Sequence, residues 1–113
     1  MILKEIDLRS CVKENAETEI MYEVASARAD DIELIRINLK SSAEQESGLN
    51  KLLAVLIRLL KNMKQNGQIQ FYAVPESFSK MSTEAVFLIN KYPVIFKNIP
   101  TSEENGQFIF IKL

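Results

Sequence analysis

Side chains able to do covalent or metal chemistry are scarce in this 113-residue chain, which has no His and one Cys, Cys11. Without imidazole there is no Ser-His or Cys-His nucleophile pair and no His-ligated zinc or iron. One thiol cannot complete a structural zinc site. Cys11 falls between an expected strand and an expected helix, where a helix N-terminus can lower a thiol pKa. No base accompanies it, and an incidental thiol is the simpler account. Asp7, Asp30 and Asp31 offer hard oxygen ligands of the kind magnesium takes, but an Asp pair beside a helix end is ordinarily a solvated turn. The glycines are Gly48, Gly67 and Gly106. None belongs to a P-loop or a Gly-x-Gly-x-x-Gly turn, so the common cradles for nucleotide phosphates are missing. The sequence therefore argues against an enzyme, and it calls for no catalytic residue, cofactor or metal.

Charge is the remaining chemical signal. No acid interrupts residues 47–75, a stretch holding Lys51, Arg58, Lys61 and Lys64. On one helix these four could follow a phosphate backbone; four bases on a helix are also an ordinary solvated face. Phe71 and Tyr72 lie close behind, although aromatics in an alternating strand usually belong to a core and not to a base-stacking surface. The net charge of −1 demands neither nucleic acid nor an anionic membrane. It is unevenly spread, with nine acids and five bases in residues 1–39 against six acids and nine bases in residues 40–113.

The elements that must carry these groups follow from periodicity. Ile2 to Leu8 alternates as a strand, with Ile2, Ile6 and Leu8 on one face. Asn15 can cap a helix whose stripe is Ala16, Ile20, Val24 and Ala27, with Glu17 and Glu19 in the dipole-favoured first turn. Ile32 to Leu39 is apolar on both faces, as a central strand should be. Lys40 to Gly48 is a polar loop beyond the end of that strand, where open α/β sheets place small ligands. Leu49 to Asn66 is the strongest helix. Leu49, Leu52, Leu53, Leu56, Leu60 and Met63 form its stripe, and Val55, Ile57 and Leu59 widen it until it needs cover on more than one side. Another element of the domain could supply that cover, or a second copy could do so through Leu52, Leu56, Leu59 and Leu60. Gln68 to Val74 is a strand stopped by Pro75. Ser82 caps a short helix, Thr83 to Lys91, with Ala85, Val86 and Ile89 inward. Val94 to Ile99 and Phe108 to Leu113 then form a C-terminal hairpin around Asn105-Gly106.

The expectation is a single α/β domain over residues 1–113, ordered β-α-β-α-β-α-β-β, with a mainly parallel sheet and helices on its faces. One Cys suits a reducing cytoplasm, no apolar leader opens the chain, and its apolar run Leu52 to Ile57 is far too short to span a bilayer.

Ile6-Asp7-Leu8-Arg9, followed by Ala16, Ile20, Val24 and Ala27, resembles the opening of the small MutS-related (Smr) domain. That family begins with a strand bearing Leu-Asp-Leu-His or Leu-Asp-Leu-Arg and then a helix of this apolar spacing. Asn105-Gly106-Gln107-Phe108-Ile109-Phe110-Ile111-Lys112-Leu113 is similar to the family's closing Gly and terminal strand. The overlap covers residues 3–39 and 92–113; a second register sets Gln68 to Leu113 against the family's latter half. The family's second signature, a His/Thr-Gly-x-Gly turn, is replaced here by Asn38-Leu39-Lys40-Ser41-Ser42. The resemblance implies a domain without nuclease competence that binds DNA or RNA, or a nucleic-acid-associated protein, and it adds Asp7 and Arg9 as candidate nucleic-acid contacts beside Lys51, Arg58, Lys61 and Lys64. Two other functions stay open: a protein-interaction or homodimerisation domain built on helix 49–66, and a small-molecule binder at loop 40–48.

Overall fold

The computed structural model describes residues 2–8, 13–39, 48–97 and 107–113, with side chains at 13–14, 48–52 and 107 left aside. Its elements are β1 (Leu3–Asp7), α1 (Lys13–Ala29), β2 (Leu34–Leu39), α2 (Gly48–Gln65), β3 (Phe71–Ala73), α3 (Pro75–Ser79), α4 (Thr83–Lys91) and β4 (Gln107–Lys112). Together they make an α/β domain around one mixed sheet of order β1-β2-β4-β3. β1 and β2 pair in parallel, while β4 runs antiparallel to both β2 and β3.

The two inner strands are the ones whose residues are apolar on both faces. Ile35, Ile37, Leu39, Ile109 and Ile111 point into a first core with Ile6, Leu8 and the inward stripes of α1 and α2. Leu34, Phe108 and Phe110 point the opposite way, into a second core with Ala73, Phe78, Ala85, Leu88, Tyr92 and Phe96. The outer strands are weaker. On β1, Glu5 and Asp7 are exposed between half-buried and buried neighbours, and β3 has three residues.

Three helices end alike. After α1 the Ile32 N–H donates to the Ala27 carbonyl and Asp31 N–H to Arg28; after α2, Gln68 donates to Met63 and Gly67 to Lys64; after α3, Ser82 donates to Ser77 and Met81 to Phe78. Each pair is a Schellman stop, which needs a left-handed residue one past the cap. Gly67 fills that place at φ 77°, Asp31 at 56° and Met81 at 50°.

The structure departs from the sequence expectation in three places. The sheet is mixed and not mainly parallel, because β4 enters between β2 and β3. No strand runs through residues 93–97, which form turns, so the expected hairpin is absent from the described residues. There Phe96 folds back to stack on Phe78 at 5.5 Å between ring centroids, with its N–H donating to the Tyr92 carbonyl. Burying that ring in the second core outweighs an extended conformation that would leave it beside exposed Val94 and Lys97. Finally, Pro75 begins a helix. At a first helical position its missing N–H would have had no partner anyway, and Val74 closes the turn by donating to Ser77 Oγ while accepting from Ser77 N–H.

Candidate nucleic-acid interface

α2 is oriented by Leu56, Leu60 and Met63, all buried at helical spacing against the sheet. With that stripe inward, Arg58, Lys61 and Lys64 are exposed on the outer side. Among the described residues none of the three is paired with an acid. Among the described residues no ion pair ties down their charge, and the nearest acid lining the same space as Lys61 and Lys64 is Glu84.

The same stripe brings Lys61 and Lys64 beside edge strand β3. A groove of about 390 Å³ there is lined by Lys61, Lys64, Gln65 and Tyr72. It adjoins a space of about 320 Å³ that shares Lys61, Lys64 and Tyr72 and reaches Val74, Ser77 and Glu84. Burial pushes the Tyr72 phenol above its usual range, and the Glu84 carboxylate adds to the effect. Tyr72 is therefore a neutral, half-buried ring between two cations and one anion. On the other face of β3, Phe71 meets Phe87 of α4 edge-to-face at 5.5 Å, and Lys91 Nζ lies 5.6 Å from the Phe87 ring centre.

The remaining sequence candidates are scattered. Asp7 lies exposed at the end of β1, in register with Asn38. β1 and β3 are opposite edges of the sheet, so Asp7 is separated from the groove by three strand spacings, about 14 Å, and it belongs to the opposite face. Near it, Arg36 donates to Asn38 Oδ1 at 3.0 Å and lies over Phe108 and Phe110. Arg9, Cys11 and loop residues 40–47 lie outside the described residues, as do the side chains of Lys51 and Leu52.

Of the four leucines through which a second copy could cover α2, two are fully buried in the single chain. Leu56 and Leu60 are 0% exposed within this one chain, and Leu59 packs half-buried against the same core. Leu56 and Leu60 are thus covered within the single chain, while Leu59 keeps part of its surface. On α4, Ala85 and Leu88 are buried and Ile89 packs partly buried against the second core, as expected for Ala85 and Ile89, while Val86 and Phe87 face out. The sequence reading passed over Glu84, Phe87 and Lys91. The available signal was their spacing, three and four residues apart, which puts them along one side of a helix.

A second polar cluster lies where Glu33 leads into β2 and Lys112 ends β4, beside the start of β3. Tyr92 donates to Glu33 Oε1 at 3.0 Å, and buried Lys112 donates to the Leu113 carbonyl. Burial, then Lys91, hold the Lys112 amine below its usual range against the pull of Glu33. This cluster is sealed and satisfied, as a structural network is. On the first face, Glu23 Oε2 is buried without a well-formed hydrogen bond, and Lys4 Nζ at 2.5 Å compensates its charge. Among the described residues, no group of three or more Cys, Asp or Glu is arranged to hold a metal ion, and no helix is long and apolar enough to cross a membrane. No family model, curated protein or solved structure matches the chain significantly.

Proposed function

We propose that this is a non-catalytic, Smr-like cytoplasmic domain that binds nucleic acid through the outer face of α2 and the groove beside β3. One observation carries the proposal: Arg58, Lys61 and Lys64 are exposed together, unpaired by any described acid, beside a groove containing an aromatic ring. Phosphates release counterions when they meet such cations, and that release drives sequence-independent binding. The likeness of Ile6-Asp7-Leu8-Arg9 to the Smr opening supports the same assignment, with Asp7 as a separate, secondary contact.

Fluorescence anisotropy with a short single-stranded RNA across a salt series tests this. Three phosphate contacts predict a slope of log affinity on log salt of about −2. Replacing Arg58, Lys61 and Lys64 together by Gln should abolish that slope while leaving the fold intact. Absence of binding at low salt would sink the proposal.

A further inference from the structure

Phe87 is 40% exposed, an unusual place for a large aromatic whose neighbour Leu88 is fully buried. Its ring is perpendicular to Phe71, at 89°, which fixes its orientation from below. Lys91 sets a cation over one face of the same ring, 5.6 Å from its centre, which leaves the opposite face for a stacked group. Around the β3 edge the order is thus Lys61 and Lys64 with Tyr72 on one face, then Glu84, then Phe87 with Lys91 on the other. Each face of this edge thus sets an aromatic ring beside one or two lysines, the pairing of groups that single-strand sites use.

We infer that the interface selects single-stranded over double-stranded nucleic acid, because a base unstacks onto Phe87 beside Lys91 while Lys61 and Lys64, across the β3 edge, hold phosphates farther along the strand. This rests on the binding proposed above. A duplex keeps its bases paired and stacked, so it offers the lysines phosphates but offers Phe87 nothing. A docked protein helix would use the exposed apolar residues of α4 but would gain nothing from the row of lysines at the sheet edge.

The test compares three probes of equal length by anisotropy: an oligouridine RNA, an abasic strand of the same charge, and a duplex. The intact protein should bind oligouridine about tenfold more tightly than the abasic strand, the scale of one stacked base. Phe87→Ala should lower oligouridine binding to the abasic level without changing the salt slope. Phe87→Trp should restore the preference, which guards against a folding defect in the alanine variant. Lys61→Gln with Lys64→Gln should weaken all three probes. Equal binding of oligouridine and abasic strand by the intact protein removes the stacking inference and leaves the basic face standing. Retention of the preference in Phe87→Ala overturns the role of Phe87. If no probe binds, both proposals fall.

Discussion

Phe110 lies 4.7 Å from Phe96, 5.3 Å from Phe108 and 5.9 Å from Phe78, measured between ring centres. Truncating a ring so enclosed removes its own buried area and leaves a cavity, so Phe110→Ala should cost about 3–5 kcal/mol. A fall in the urea midpoint at unchanged denaturant slope would measure it. Tyr92 makes a prediction in pH. Burial first, and then its bond to Glu33, push its phenol up to about 12. The folded chain therefore keeps a proton that the unfolded chain gives up near pH 10. That contribution is fully present below about pH 10 and is lost as pH rises towards about 12. Tyr92→Phe should flatten this part of the alkaline decline, and phenolate absorbance should show one tyrosine ionising late. At this scale the site is half legible from sequence. Arg58, Lys61 and Lys64 declare themselves by the missing acids around them, whereas Tyr72 is indistinguishable from a core ring until its neighbours are known.

Helix ends are where the elements are easiest to perturb. Ser82 accepts from the Ala85 N–H at 3.2 Å, and Ser82→Ala should cost about 1 kcal/mol. Met81 occupies a left-handed place that a side chain disfavours, so Met81→Gly should stabilise the fold by about 0.5–1 kcal/mol. Paired thermal or urea unfolding would separate the opposite signs of these two neighbours. On α2, Leu56→Glu with Leu60→Glu would bury two charges in the first core. Loss of the folded circular dichroism spectrum is expected, and a soluble folded variant would contradict the packing. The long helices were legible from their buried stripes, Ala16, Ile20, Val24 and Ala27 in α1 and Leu56, Leu60 and Met63 in α2. α4 is shorter, at nine residues, and a phase error of one position turned Val86 inward and hid Phe87. α3 was invisible because Pro75 carries the same local signal whether it stops a strand or opens a helix.

For the molecule as a whole, strand position was legible and strand direction was not. Residues apolar on both faces identify an inner strand, as they do for β2 and β4, but they are silent on which way it runs. The direction of β4 is fixed by antiparallel pairing with β2 and β3, partners drawn from distant segments. Both cores use β4, the first through Ile109 and Ile111 and the second through Phe108 and Phe110. The layers should therefore unfold together, and near- and far-ultraviolet circular dichroism should give coincident urea transitions.

Biosynthesis meets this topology at an awkward point. Strand β4 lies between partners made long before it, pairing Leu34 with Lys112 and Phe71 with that same residue. Until residues 107–112 clear the ribosome, β2 and β3 have no common neighbour, and the nascent chain holds two unfinished apolar faces. Such a chain is expected to complete its sheet only after release of this segment, and to depend on chaperone protection until then.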